Sequence, residues 1–383
     1  MTDPFELIGH KISNEFKSQH CAQFGIQELP MDRREFLKLA STSSIVPGFN
    51  AAADSLKSPP APLQKIQRIA FGSCIDQNKP QPIWQAILAA KPDLFIFGGD
   101  NVYASSQPWQ LSNLQNAYAK QATQVGFMQL RKDVPHLAIW DDHDMGLNDG
   151  GVDFPHKQLA KEAFMDFWQL PVNDPRRQRE GLYHAVSFGP AGQRVQVILL
   201  DTRWFRSKLK VTDQRDAPGK ERYVPDADPQ KTMLGDAQWR WLEMQLQEPA
   251  DVRLIVSGVQ VVVEGHGWES WNNFPLEQEK LRQIIQRAQA KGVVLLSGDR
   301  HIGAIYKSKT SSNYPLYELT SSGMTHAWAS ANEAGPNRLG ELITQNHFAL
   351  IEFDWTQNQM LLGFQNTQGE WLKRHAIQLS ELQ

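Results

Sequence analysis

The feature that most limits the fold is a series of short runs, apolar nearly throughout, each breaking off in glycine and polar residues. They lie at 66–72, 94–98, 136–140, 195–200, 254–258 and 293–297. Runs this short and this continuously apolar read as strands covered on both faces. Between them, Leu159, Ala163, Phe164, Phe167 and Trp168 recur at helical spacing, as do Leu281, Ile284, Ile285 and Ala288. Nearer the end, 316–321, 348–354, 360–365 and 372–379 read as consecutive strands with tight connections. No internal repeat is visible. The pattern predicts one α/β domain with a sheet-rich C-terminal half.

Composition removes several alternatives. The formal net charge is −3 over 383 residues, so no basic surface for nucleic acid is expected. No apolar run approaches the roughly 20 residues that cross a bilayer. Two cysteines, Cys21 and Cys74, rule against a disulfide scaffold. All 12 tryptophans lie from Trp84 onward, so the packed core is expected to start late.

The N-terminus reads as an address. Arg33 and Arg34, followed by Phe36-Leu37-Lys38 and an apolar stretch to Val46, resemble the bacterial twin-arginine export signal. Ala51-Ala52-Ala53 fits a small-residue cleavage site, and the Ser/Pro-rich stretch after it reads as a linker. The expected organisation is an extension and signal over 1–53, a linker over 54–65 and a single domain over 66–383. Translation starting at Met1 or at Met31 fits equally. Export implies the twin-arginine translocase as a partner and a periplasmic or extracellular location. After cleavage Cys74 would be the only thiol, hence buried, inert or a metal ligand.

Ligand sites in such domains form beyond the carboxyl ends of strands. Here those ends read Gly72-Ser73-Cys74, Gly99-Asp100-Asn101-Val102-Tyr103, Asp141-Asp142-His143-Asp144 with Asn148 beyond, Ser257-Gly258-Val259-Gln260, and Gly298-Asp299-Arg300-His301. A lone Asp after a strand is usually a cap, and a lone Cys a small hydrophobe. The coincidence of five such ends is what points to chemistry. Asp100, Asp142 and Asp299 brought together would repel unless a cation neutralised them. Carboxylate, imidazole, thiolate and phenolate together make a ligand set for one or two metal ions, and two adjacent ions suit phosphoryl displacement.

The segments FGSC (71–74), GDNVY (99–103), WDDHDMGLND (140–149), LLDTR (199–203), SGVQ (257–260) and SGDRH (297–301) resemble the PhoD-like alkaline phosphatases, within the calcineurin-like metallophosphoesterases. LGDAQWRWL (234–242) and WESW with Pro275 and Glu277 extend the likeness. The resemblance implies a four-layer α/β/β/α sandwich and a catalytic domain standing alone. It implies that Asp100 bridges two metal ions, that Cys74, Tyr103 and His301 complete an Fe(III) site, and that Asp142, Asp299 and Asn148 form a Ca²⁺ site. Zn²⁺, Mn²⁺ and Mg²⁺ stay open. A hydroxide between the ions would attack phosphorus. His143 would protonate the leaving oxygen or bind a phosphoryl oxygen, with Asp144 or Asp141 holding its ring. Arg300 and Arg203 would cradle the phosphate, with a core salt bridge as the bland alternative for Arg203.

Departures from the wider superfamily exchange nitrogen ligands for oxygens at the second site and also touch the first. Asp142 stands for an asparagine, Gln260 for a metal-binding histidine, Asp299 for another, and Ser73-Cys74 for an aspartate–histidine pair. Gln260 is grouped with the substrate, as is His266 on the 262–274 loop. The segment 209–229, dense in charge and proline, reads as a lid or a solvated excursion. The expected substrate is a small phosphate monoester or diester and the protein a monomer. A narrow phosphodiesterase or phospholipase-like enzyme and a non-catalytic exported metal-binding protein are the alternatives.

Overall fold

The anticipated buried runs form inner strands of two six-stranded sheets, except the run at 136–140, which forms an edge strand. The structure, a computed structural model, describes residues 64–105, 107–308 and 313–383. The twin-arginine segment with Arg33 and Arg34, the cleavage run and most of the linker lie outside the described residues.

In chain order the strands begin with β1 (Arg68–Gly72), β2 (Leu94–Phe97), β3 (His136–Ala138), β4 (His184–Phe188), β5 (Val195–Leu199) and β6 (Val252–Ser257). They continue with β7 (Val293–Ser297), β8 (Gly303–Lys307), β9 (Tyr317–Ser321), β10 (His347–Asp354), β11 (Gln359–Asn366) and β12 (Trp371–Gln378). The helices are α1 (Ile83–Ala89), α2 (Leu111–Ala122), α3 (Val125–Asp133), α4 (Asp142–Met145), α5 (Lys157–Phe167), α6 (Gly235–Gln247) and α7 (Pro275–Arg287).

The first sheet runs β12-β11-β10-β1-β2-β3, with β1, β2 and β3 parallel and β10, β11 and β12 each antiparallel to its neighbours in the sheet. The second runs β4-β5-β6-β7-β9-β8, parallel from β5 through β9, with antiparallel edges. The sheets face one another where β10 meets β8 and β9. Helices cover the outer faces, giving the four-layer sandwich. On the first sheet Phe95 and Phe97 share one face and pack edge-on to Trp84 of α1 and Phe127 of α3. On the second, Gln196 of β5 donates to Gln245 O of α6, and α6 packs on α7.

Two strands escaped the pattern. β4 is a half-buried edge strand, and β8 follows the SGDRH motif directly, without a run long enough to stand out. The α5 stripe is also turned by one position. The buried apolar residues are Ala160, Phe164 and Met165, while Leu159 is 41 % exposed. An apolar residue at the margin of a helix face shifts the apparent stripe.

Leu295, fully buried on β7 between β6 and β9, tests the two-sheet core. Leu295→Ala should lower unfolding free energy by about 2–5 kcal/mol in urea titrations. A loss below about 1 kcal/mol would contradict tight packing at that strand.

Candidate metal centre and active-site cleft

Backbone N–H groups stitch the loop after β1 to that after β2, and the loop after β7 to that after β9. Cys74 N–H donates to Gly99 O and Ile75 N–H to Asp100 O (3.3 and 2.8 Å). His301 N–H donates to Ser322 Oγ at 2.7 Å. Cys74, Asp100, Asp299 and His301 all have left-handed φ (63°, 49°, 68° and 56°). That region is uncommon outside glycine and costs of order 1–3 kcal/mol per residue, strain that tends to persist where a site needs it. Gly99 has φ 108°, and a Cβ there would lie 2.6 Å from Asp141 Cβ, so only glycine lets this turn rest on Asp141.

Asp100 sits at the centre. Its Oδ2 accepts from Cys74 Sγ (3.4 Å) and Tyr103 OH (3.3 Å), and its Oδ1 from His143 N–H (3.3 Å). Tyr103 OH is 3.1 Å from His301 Nε2. Cys74, Asp100 and His301 offer ligand atoms all within 4.8 Å of one another, and so do Asp100, Asp142 and His143. Two further groups with that spacing are Asp141, Asp142 and Asp299, and Asp149, Glu269 and Asp299. The structure thus gathers Cys74, Asp100, Tyr103, Asp142, Asp299 and His301. Asn148 lines the cleft at its exposed side. Asp141, Asp149 and Glu269 were not singled out as donors, although WDDHDMGLND and WESW contain them.

Electrostatics says why these groups want a cation. Burial, then the charge of Asp142, pushes Asp100 well above the usual carboxylate range, and the same two causes act on Asp299. Burial pushes Asp142 up as well, but His143 and Arg203 outweigh it and hold its carboxyl low. Burial raises the Cys74 thiol to about 11 and holds Tyr103 well above its ordinary value. Asp141 Oδ2 is buried with no partner among the described residues. Carboxylates crowded with too little counter-charge, next to a thiol and a phenol facing an imidazole, fit the binding of a metal ion.

Behind this layer lies fixed positive charge. Arg203, fully buried, donates through Nε to Asp141 Oδ1 and through Nη1 to Glu269 Oε2 (2.7 Å), and Arg206 pairs with Glu269 at 3.0 Å. Arg203 therefore does not face the cleft, and its expected contact with substrate is replaced by a core ion pair. Gln260 and His266 also lie behind the cleft. They are buried and bonded to each other at 3.1 Å, and Gln260 Nε2 donates to Tyr306 and Thr320. Their polar atoms are used up in the core.

Neither Asp144 nor Asp141 holds the His143 ring. Asp144 accepts from Asn101, from Asp141 N–H (3.0 Å) and from Tyr118, closing the capping box of α4. The ring partner is Ser105, whose Oγ lies 2.7 Å from His143 Nδ1. Nothing in the local pattern marks Ser105.

The cleft has a volume of about 210 Å³. Arg300 lines it at 7 % exposure, its guanidinium 4.6 Å from the Trp268 ring and 5.6 Å from Trp328. Its Nη2 donates to Glu333 at 3.2 Å, while its buried Nε has no partner among the described residues. Arg222, from the charged 209–229 segment, also reaches the wall and pairs with Asp149 at 3.2 Å.

His326 is a further residue the sequence did not flag. Its ring lies edge-on to His301 and Tyr103, with centroids 4.3 and 4.9 Å away. Thr325 Oγ1 donates its single hydrogen to Cys74 O (3.0 Å) while accepting from Asp76 N–H (2.9 Å). The 2.7 Å approach of His326 Nδ1 to that oxygen then has Nδ1–H as donor, which leaves Nε2 with its lone pair. Burial, followed by His301, lowers His326 to about 3.

Two stacked mixed sheets, helices outside, and a carboxylate-rich cluster at the strand ends define a metallophosphoesterase-type scaffold. A family model described as PhoD-like phosphatase matches residues 69–371, and the chain belongs to that family. Alkaline phosphatase D of Bacillus subtilis (strain 168) is 23% identical over 289 residues, covering 64% of this chain. The match covers 48% of that relative, so the chain spans about half the length of the curated relative it matches. Among solved structures, PhoD aligns with a TM-score of 0.65 at 17% identity, covering 86% of this chain and 73% of that one. The purple acid phosphatase PPD1 from yellow lupin (Lupinus luteus) seeds aligns at 0.55 and 12% identity, covering 84% and 55%.

Two expectations follow. Arg203→Met leaves Asp141 buried without its counter-charge and Glu269 with Arg206 alone, and should destabilise by about 3–5 kcal/mol in urea unfolding. Adding Asp141→Asn should recover part of that loss, and no recovery would argue against the pair. Second, the rise in Tm produced by divalent cations should grow between pH 5 and pH 8. Asp100 and Asp299 hold protons that a cation must displace, and they hold them less as pH rises. A rise independent of pH would count against these carboxylates as ligands.

Proposed function

We propose that this chain is an exported, metal-dependent phosphoesterase that hydrolyses phosphate monoesters, diesters or both. The observation that carries the reading is the position of Asp100, whose carboxylate belongs to two of the four ligand groups, one with Cys74 and His301 and one with Asp142 and His143. In this reading Cys74, Tyr103 and His301 hold one ion with Asp100, and their thiolate and phenolate suit Fe(III). Asp142, Asp299 and Asn148 offer hard oxygens to a second ion, which suit Ca²⁺. Such a pair supplies the charge that acidifies a water molecule and neutralises the phosphoryl oxygens as they gain charge.

The chain's own residues do the rest. A water oxygen, its proton released to solvent, bonds to phosphorus as the phosphorus–alcohol oxygen bond breaks, and the alcohol oxygen takes up a proton. Ser105 engages Nδ1 of His143, so Nε2 is the ring atom left to deliver it. Arg300, gripped by Glu333 and the two tryptophans, presents a pre-oriented guanidinium to the phosphoryl oxygens. Arg203 and Asp144 position the first row of carboxylates without touching substrate. Twin-arginine export and a monomeric state complete the proposal, supported by the Arg33-Arg34 motif and the family's scaffold. Among the described residues no helix is long and apolar enough to cross a membrane.

The test is metal content by mass spectrometry with turnover of p-nitrophenyl and bis-p-nitrophenyl phosphate on the same sample, for wild type and Asp100→Asn. Asp100→Asn should lose bound metal and at least about a hundredfold in kcat/KM. A fully active, metal-replete variant would sink the assignment. Turnover of the diester alone would narrow the enzyme to a phosphodiesterase.

A further inference from the structure

Beside the metal cleft lies a second and larger cavity of about 470 Å³, and the two share His143. Its walls are chemically unlike those of the cleft. The cleft is lined by Asp100, Asp142, Asp149, Glu269 and Asp299. Among the described residues the second cavity is lined by no carboxylate. Its polar wall is built from the carboxamides of Gln77, Asn78, Asn113 and Asn116, with Lys120 as its one full charge.

The sequence builds this groove on one helix face. Asn113, Asn116 and Lys120 sit three and seven residues apart on α2, so they line one side of that helix. From Asn113 to Lys120 the groove follows the helix for about 10 Å. Opposite stand Gln77 and Asn78 from the loop after β1. Gln77 exchanges two 2.9 Å hydrogen bonds with the backbone of Tyr103, which fixes the floor. Lys120 Nζ donates to Asn78 Oδ1 at 2.7 Å, leaving two of its three N–H groups. No carboxylate pairs with Lys120 among the described residues. The rings of Tyr103 and His143, 4.2 Å apart, stand where groove and cleft meet.

The geometry points to a subsite for the alcohol portion of the ester, selecting alcohols that carry a second anionic group held by Lys120. The inference rests on the phosphoesterase reading above and names its substrate class. With phosphorus in the cleft and the departing oxygen at His143, the alcohol extends along α2, where carboxamides hydrogen-bond its oxygens and the lysine meets the remote anion. A small neutral or aryl alcohol leaves most of this groove unused.

The experiment compares 1,4-butanediol bisphosphate with butyl phosphate on the metal-loaded full-length protein, measuring both kcat/KM and affinity by calorimetry. The bisphosphate should be favoured about fivefold, the scale of one exposed ion pair, and the preference should shrink with added salt. Lys120→Met should bring the ratio of the two esters near one, and Lys120→Arg should keep it. Equal affinity for both esters in wild type, or an unchanged ratio in Lys120→Met, would overturn the subsite. Lys120-dependent preference in calorimetry without turnover of either ester would support the subsite and overturn the phosphoesterase reading instead.

Discussion

The structure depends on buried negative charge and on where it is balanced. Asp100, Asp141, Asp142 and Glu269 are buried in one corner with half-buried Asp299 beside them, and carboxylates so placed cannot all ionise unaided. The protein answers half of this internally. Arg203 and Arg206 neutralise Asp141 and Glu269 from the core side, where their geometry is fixed by packing. On the solvent side Arg300 and Arg222 are already engaged by Glu333 and Asp149. Asp100 and Asp299 are left short of positive charge, and their raised proton affinity measures how short. The loops that carry them accept left-handed backbone to keep them there.

Much of this was legible in the sequence because buried parallel strands leave continuous apolar runs, and the residues just past them are forced into one neighbourhood. Cys74, Asp100, Tyr103, Asp142, Asp299 and His301 were all found that way. What the runs cannot show is which way a side chain points once the strand ends. Arg203 and Gln260 follow their strands as closely as Asp100 follows β2, give or take one residue, yet both turn inward and bond to core groups. Asp144 lies two residues from Asp142 and closes a helix cap instead of reaching His143.

A second class of residue left no trace at all. Ser105, His326 and Glu333 act on His143, on the Tyr103–His301 pair and on Arg300 only because separate loops converge. Each is a single common residue in an irregular segment, with neither period nor motif. The edge strands β4 and β8 were lost for a related reason, since half-exposed or motif-adjacent strands lack the run that betrays an inner one. Local chemistry is readable where burial imposes a pattern and silent where only tertiary proximity gives a residue its role.

The order of strands in the first sheet has a consequence for synthesis. Cys74 meets Ser322 across 248 positions of chain, and β1 takes its antiparallel neighbour from β10. A ribosome therefore releases the thiol and the first carboxylates long before the imidazole of His301 or the strand that braces them exists. A cation meeting the growing polypeptide finds scattered, flexible carboxylates, which discriminate poorly among ions. The combination of sulfur, phenol and imidazole comes into being only when translation is nearly complete, so any choice among metals belongs to the finished chain and to the compartment in which it finishes folding.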